Sequence, residues 1–135
     1  MSSETSLSQE FIKRSKEECK TLLWIKKMID NLEKGIPDIY AVYDGMPLFA
    51  ESKKIDELLL INNKKFESIQ IHQLKERSKS KAFCIGLLFL NNNETRYVMW
   101  NEIPDNGHVT KEQFLNAEVF SWQTVLYRWR QMVSF

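Results

Sequence analysis

The chain has 135 residues, 43% of them hydrophobic and 27% charged, which is typical of one globular domain and excludes a disordered chain. A formal net charge of +1 gives no whole-molecule field to attract nucleic acid or a membrane. The longest apolar run, AFCIGLLFL, is too short to span a bilayer as a helix. The polar N-terminus does not resemble a signal peptide, so we expect a cytoplasmic protein with free thiols. We expect a disordered tail at residues 1–5 and a single domain over residues 6–135.

The first predicted element is a long helix from about Ser6 to about Lys34. Ser6 and Gln9 have the spacing of a capping box, and Gly35 followed by Pro37 is expected to end the helix. Apolar and small residues recur every three or four positions, which places them on one helical stripe. The stripe consists of Phe11, Ser15, Cys19, Leu22, Ile25, Ile29 and Leu32.

Residues 39–50 are predicted to form a β-hairpin, because Asp44-Gly45 tolerates the positive φ angles of a tight type I′ turn. Pro47 has no amide hydrogen, so its strand is expected to lie at the sheet edge or to end early. The hairpin is apolar on both faces and carries more apolar surface than one packed face requires. The register of this turn pairs Tyr43 with Met46, Ala41 with Leu48 and Ile39 with Ala50.

The middle of the chain predicts three further elements. Residues 51–65 fit either a strand or a short helix, and we favour a helix from about Lys54 to Leu60. The segment FESIQIHQL alternates around Ile69 and Ile71, which predicts a strand. AFCIGLLFL is apolar without alternation and predicts a central strand buried on both faces. NNNE then predicts a turn, with TRYVMWNEI as the antiparallel partner strand.

A loop at residues 104–107 precedes the last predicted element, a helix that starts after Thr110 with capping-box spacing to Gln113. Its stripe is Leu115, Val119, Trp122, Leu126, Trp129 and Val133, although a strand over 119–129 fits as well. The whole pattern predicts an α+β domain in which a long N-terminal and a C-terminal helix flank four or five mainly antiparallel strands. The residues expected in its core are Cys19, Leu22, Ile29, Ile85, Leu87, Trp122 and Leu126.

The sequence contains no recognisable catalytic, metal-binding or cofactor-binding motif. Its two cysteines and two histidines lack ligand spacing, and its four glycines are isolated. We therefore expect neither enzymatic activity nor a cofactor. The leading interpretation is a protein-binding module, an inhibitor or immunity-type protein that blocks a protein partner by occupancy, or else a homodimer. The candidate partner-binding residues are Tyr40, Tyr43, Met46, Phe49, Tyr127, Arg128 and Arg130.

Nucleic-acid binding is the alternative interpretation. Lys75, Arg77, Lys79 and Lys81 occupy every second position, so in an extended segment all four point the same way. Such a stripe can follow phosphates or meet an acidic protein surface. A solvated, lysine-rich connection is the simpler explanation of the run, and no stacking aromatic residue interleaves it. A small enzyme of unrecognised type is the third interpretation.

Overall fold

The computed structural model of the chain describes residues 4–28, 34–55, 66–90, 94–109 and 111–134. Short 3-10 helices at Lys20–Leu22 and Trp100–Glu102 connect some of the main elements. In chain order, these main elements are α1 (Glu4–Cys19), β1 (Leu23–Lys27), β2 (Ile39–Tyr43), β3 (Met46–Ile55), α2 (Ser68–Ser78), β4 (Phe83–Leu90), β5 (Thr95–Met99), α3 (Lys111–Asn116), β6 (Glu118–Val119) and α4 (Trp122–Val133).

The six strands form one sheet in the order β1-β2-β3-β4-β5-β6. Every neighbouring pair is antiparallel except β3 and β4, which run parallel and are joined by a crossover that contains α2. The predicted α+β domain with a helix at each end is therefore confirmed. The sheet is mixed because the chain crosses over through α2 between β3 and β4. Its first and last strands, at residues 23–27 and 118–119, lie where the sequence predicted helix.

Helices cover both faces of this sheet. Helices α1 and α4 pack on one face, where buried residues of all central strands form the larger core cluster. Helix α2 and the 3-10 helix at Trp100–Glu102 pack on the other face over a smaller cluster, which includes Ile55, Phe66 and Leu74. Among the residues expected in the core, Ile85, Leu87, Trp122 and Leu126 are buried, and Cys19 is partly buried. Leu22 is exposed, contrary to the prediction, and Ile29 lies outside the described residues.

The hairpin prediction is confirmed in every pair. Tyr43 pairs with Met46 across the Asp44-Gly45 turn, and the ladder continues to the pair formed by Ile39 and Ala50. The prediction that the strand of Pro47 is an edge strand is wrong, because β3 lies between β2 and β4. The missing amide hydrogen is tolerated here because pairing with β4 begins only at Leu48.

The first helix is shorter than predicted. It begins at Glu4 and ends at Cys19, where Lys20 takes a left-handed backbone with φ of 47°. Residues 23–27 form β1 instead, and Ile25 is buried as a strand residue opposite Ala41. The helical spacing was misleading because a single buried side chain in a short strand satisfies a helical stripe equally well. Residues 1–3 and 29–33, which include Ile29 and Leu32, lie outside the described residues.

The strand predicted around Ile69 and Ile71 is also wrong, because this segment forms α2. A capping box starts the helix, in which the Glu67 amide donates to the Gln70 side chain at 2.9 Å. The buried residue of α2 is Leu74, whereas Ile69 is 38% exposed. The short helix predicted from Lys54 is replaced by the last residues of β3, and residues 56–65 lie outside the described ranges.

The C-terminal stripe is divided between three elements. Val119 belongs to β6, which pairs with β5, and Ser121 then caps α4 by accepting a hydrogen bond from the Thr124 amide. Leu115 and Val119 are exposed, so the continuous buried stripe does not exist. The predicted loop at 104–107 and the antiparallel pairing of β4 with β5 are confirmed. Within the described ranges, none of the helices combines the length and apolar character needed to cross a membrane.

Candidate active site

Two carboxylates and a lysine lie together at the open end of the β2–β3 hairpin. Asp38 directly precedes β2, and extending the hairpin register by one position places it opposite Glu51 of β3. Glu51 and Lys53 are two residues apart on one strand, so their side chains point to the same face. We call Asp38, Glu51, Lys53 and the nearby Gln70 of α2 the carboxylate–lysine site.

Asp38 is held in place by β3. The amide of Ser52 donates to Oδ1 of Asp38 at 2.9 Å, and the Ser52 hydroxyl donates to Oδ2. A hydroxyl has one hydrogen, so the buried Ser8 of α1 donates to Ser52 Oγ across 2.9 Å. Pairing with β2 ends at Ala50, and the Asp38 side chain therefore occupies the position that a continuing strand would fill. The orientation of this carboxylate is tied through Ser52 to α1.

Glu51 is a nearly buried carboxylate, 5% exposed, and a buried charge is stable only with compensating partners. Lys53 Nζ lies 3.7 Å from Glu51 Oε2, and Gln70 Nε2 donates to the same oxygen at 3.4 Å. Gln70 also caps the start of α2 through its own oxygen. The same side chain thus positions both the helix N-terminus and the Glu51 carboxylate, and the helix dipole favours a negative charge there.

Lys53 is the cation of the site. Its side chain is only 14% exposed, and its Nζ lies 5.7 Å from the centre of the Phe66 ring. An ammonium group in such partly dry surroundings interacts more strongly with an anion than a fully solvated lysine does. Lys53 is therefore placed to neutralise an anionic substrate group that approaches the two carboxylates.

The oxygen ligands of the site are of the kind that a hard divalent cation prefers. Asp38 and Glu51 supply carboxylate oxygens, and Mg²⁺ is usually bound by one or two carboxylates together with water and substrate phosphates. The described part of the chain contains no group of three or more His, Cys, Asp or Glu side chains that could hold a metal ion. A closed, four-ligand structural metal site is therefore not formed by these residues.

An aromatic row crosses the same face of the sheet beside the carboxylate–lysine site. Tyr40 of β2 stacks on Phe49 of β3, with ring centres 4.6 Å apart and planes 9° from parallel. Trp24 of β1 meets Tyr40 edge-on at 5.3 Å. The Arg77 guanidinium of α2 lies 5.3 Å from the Phe49 ring centre and closes the other end of the row. We call Trp24, Tyr40 and Phe49 the aromatic row.

The other candidate partner-binding residues are dispersed. Tyr43 and Met46 are buried in the larger core cluster and are therefore not surface contacts. On α4, Tyr127 is 65% exposed. Arg128 donates to the Tyr97 hydroxyl, and Arg130 forms an ion pair of 3.1 Å with Asp44 of the hairpin turn. The structure brings together Tyr40 and Phe49 of this set but does not assemble the seven residues into one surface.

The basic segment is not extended. Lys75 and Arg77 lie on α2, while Lys79 and Lys81 follow in the turn after it, so the common direction of an extended stripe is absent. Arg77 is directed to the aromatic row, and Lys79 Nζ forms an ion pair with Glu76 at 3.0 Å. Contacts to nucleic acid from Lys79 and Lys81 stay a prediction, although these residues do not form an extended stripe with Lys75 and Arg77.

Sequence reasoning missed the carboxylate–lysine site, although part of the signal was present. The Asp44-Gly45 turn fixes the hairpin register, and extending that register by one position beyond its last pair places Asp38 opposite Glu51. The Glu-x-Lys spacing on a strand then adds Lys53 to the same face. Gln70 gives no such signal, because the alternation of Ile69 and Ile71 predicts a strand where α2 forms.

The fold and the site together define an α+β domain in which Glu51 and Lys53 lie on the α2 side of a mixed sheet and Asp38 is bound to the intervening Ser52 at the end of the hairpin. Among solved structures, the chain is similar to Hjc of Archaeoglobus fulgidus, a Holliday junction resolvase from an archaeal hyperthermophile, with a TM-score of 0.67. The likeness covers 85% of this chain and 94% of Hjc at 13% sequence identity, so it establishes the fold. No protein-family model matches the chain, and no curated protein matches it.

This likeness corrects the functional expectations drawn from the sequence. The interpretation as a non-enzymatic inhibitor or immunity-type protein is wrong, since the chain shares its fold with a resolvase, an enzyme that acts on nucleic acid. A protein partner has no support in the comparison. A site without a linear motif gives no signal to a search for motifs. The site residues become neighbours only through strand pairing.

Proposed function

We propose that this protein is a nuclease that hydrolyses phosphodiester bonds with the help of a hard divalent cation. The observation that carries the proposal is the placement of Asp38 opposite Glu51, with Lys53 on the same face. The likeness to a Holliday junction resolvase makes branched DNA the first substrate to test. This proposal replaces the expectation that the chain needs no cofactor.

The residues of the carboxylate–lysine site, together with Ser52, have three kinds of role in this proposal. Asp38 and Glu51 are the residues that would hold the cation, and a bound divalent cation would polarise a phosphate and neutralise its charge. Lys53 supplies a second positive charge for the phosphate, where charge develops during displacement. Gln70 and Ser52 are positioning residues, because they orient the carboxylates and need not touch the substrate.

The test is a cleavage assay with the full chain. Four-way junction, linear duplex and single-stranded DNA are incubated with Mg²⁺ or Mn²⁺, and the products are separated under denaturing conditions. We expect cation-dependent cleavage that falls on the order of 10²–10³-fold in Glu51→Gln and in Lys53→Met, as when a charge-stabilising group is removed from an active site. Lys54→Met is the matched control, because Lys54 is the next residue on β3 and faces the other side of the sheet.

Three results would contradict the proposal. The first is a wild-type chain, folded by circular dichroism, that cuts none of these DNAs with either cation. The second is cleavage that persists in a chelator. The third is cleavage of equal rate in Glu51→Gln purified in parallel, which would identify a contaminating nuclease.

Nucleic acid is thus the proposed partner, and the homodimer stays a prediction that the mass in solution tests. A dimer formed through the hairpin edge does not agree with the sheet, since β2 and β3 each have a strand on both sides. The outer strands of the sheet are β1 and β6, and either of these offers an edge to a second copy.

A further inference from the structure

The aromatic row lies directly beside the carboxylate–lysine site. Tyr40 of β2 is two residues from Asp38, which directly precedes that strand, and Phe49 is two residues from Glu51 on β3. Alternation along β3 places Phe49, Glu51 and Lys53 on the same face. Ile25 and Ala41, which are buried in the core under α1 and α4, belong to the opposite face.

The outer end of the row is open to solvent. Trp24 is 47% exposed on β1, which is an outer strand of the sheet. Its edge contact with Tyr40 and the stacking of Tyr40 on Phe49 fix the orientation of three rings in sequence. A half-exposed indole held in a defined orientation by a second ring is an available stacking surface. Large apolar side chains at a sheet edge are otherwise a liability, because they promote aggregation.

Cations flank the row at both ends. Lys26 pairs with Tyr40 across β1 and β2, on the same face as Trp24, and is exposed. Arg77 lies over Phe49 at the other end. Flat rings between positive charges match the chemistry of a nucleic-acid strand, in which planar bases alternate with phosphates. The flanking charges therefore favour this occupant over an apolar peptide.

We propose that Trp24 is a stacking platform for an unpaired base, so that the protein selects nucleic acid with a base released from its partner, as in a single strand or at a branch. The platform lies roughly 10 Å across the sheet and roughly 13 Å along the strands from Glu51, using ordinary strand spacings. A strand stacked on Trp24 therefore reaches the carboxylate–lysine site within a few nucleotides. The inference rests on the proposed function, because the distance from Trp24 to Glu51 matters only when Glu51 belongs to a nuclease active site.

The test measures binding in a chelator, where no strand is cut, so that it does not depend on cleavage. Three probes share one paired duplex: the duplex alone, the duplex with a short single-stranded flap, and the same flap without bases. The wild type should bind the flap with bases more tightly than the other two probes. Trp24→Ala should lose roughly 5- to 150-fold in affinity for that probe alone, the range of one base–aromatic stack. The flap without bases keeps its phosphates but cannot stack on Trp24. Trp24→Ala should therefore cause no further loss of affinity for this probe.

Two further variants separate stacking from general damage. Trp24→Phe keeps an aromatic face and should retain most of the preference for the flap. Val119→Ala changes an exposed apolar residue on the opposite outer strand and should bind all probes like the wild type. A flap of RNA tells which sugar is preferred, and a preference dependent on Trp24 supports the inference with either sugar.

Several results would overturn the inference, and they differ from those that would overturn the nuclease proposal. Equal wild-type affinity for paired and flapped probes, or no binding of any probe, removes the stacking platform. The same follows if Trp24→Ala binds like the wild type, or if Val119→Ala loses as much affinity as Trp24→Ala. A chain that binds through Trp24 but cuts no DNA retains the inference and loses the nuclease function. A chain that cuts DNA but whose binding is unchanged in Trp24→Ala retains the nuclease function and loses the inference.

Discussion

Replacing Trp122 by Ala tests how the terminal helices are joined to the sheet. Trp122 begins α4, is 3% exposed, and donates from Nε1 to Ser15 Oγ of α1 at 3.0 Å. Its ring centre lies between 5.0 and 6.1 Å from those of three other aromatic residues. These are Phe11 of α1, Tyr43 of β2 and Phe120 before α4. The one side chain thus connects both helices to the larger core cluster.

The expected loss follows from two contributions. Truncating a buried aromatic side chain to Ala costs about 3–5 kcal/mol, because apolar contacts are lost and a cavity remains. The buried Ser15 hydroxyl then loses its partner, which adds about 1 kcal/mol. We expect the free energy of unfolding to fall by about 4–6 kcal/mol, a large part of the 5–15 kcal/mol that is typical of a domain. Trp122→Phe keeps a ring and should lose only about 1–2 kcal/mol.

Urea unfolding followed by far-UV circular dichroism measures both variants against the parent. The Ser15→Ala change provides a control, since it should add little in the Trp122→Phe background, where the hydrogen bond no longer exists. The reasoning is refuted if Trp122→Ala unfolds within about 1 kcal/mol of the parent. It is also refuted if Trp122→Phe and Trp122→Ala lose the same stability.

Two further predictions concern pH and backbone strain. Burial and the hydrogen bond to Glu118 raise the pKa of Tyr97 from 10.0 to about 12. Stability should therefore be full below about pH 10 and fall as the pH rises through about 12, less steeply in Tyr97→Phe, and urea titrations of equal slope would contradict this. Gly107→Ala should destabilise the fold more than Gly45→Ala in urea unfolding. Both glycines have positive φ, but only at Gly107 would the new Cβ clash with the Phe66 carbonyl oxygen, and the reverse order would be inconsistent with this geometry.

The elements that the sequence predicted correctly are those specified by local chemistry. The Asp44-Gly45 turn fixed the hairpin register, since few residues other than glycine, asparagine and aspartate accept its backbone angles. Phe83–Leu90 formed the expected central strand, because an unbroken apolar run can be satisfied only when both faces are covered. In both cases the information lies in the residues of the element itself.

The elements that were mispredicted depend on contacts distant in sequence. Residues 23–27 fit a helical stripe as well as a strand, and the choice is made by pairing with β2. Ile69 and Ile71 alternate like a strand, but the helix is stabilised by burial of Leu74 and by the cap at Glu67. Short segments with few apolar residues carry too little periodicity to separate the two structures.

The candidate site was predictable only in part. Asp38 and Glu51 follow from the hairpin register, which was correct, so their proximity could have been derived. The contributions of Ser8 and Gln70 could not, because each depends on how a helix packs against the sheet. The anchoring of Asp38 by Ser52 also depends on where the two strands stop pairing. β2 starts only at Ile39, opposite Ala50, whereas β3 continues to Ile55, and no local pattern predicts that difference.

The unequal partners of β3 also bear on the order in which the protein folds. The β2–β3 hairpin closes over two turn residues, and such hairpins form within about 1–10 μs. Pairing of β3 with β4 requires closure of the longer crossover that contains α2, which costs more chain entropy. We therefore expect Asp38 and Glu51 to come together early, before the sheet is complete. The carboxylates would meet while still hydrated, and their desolvation would be delayed until α2 docks and supplies Gln70.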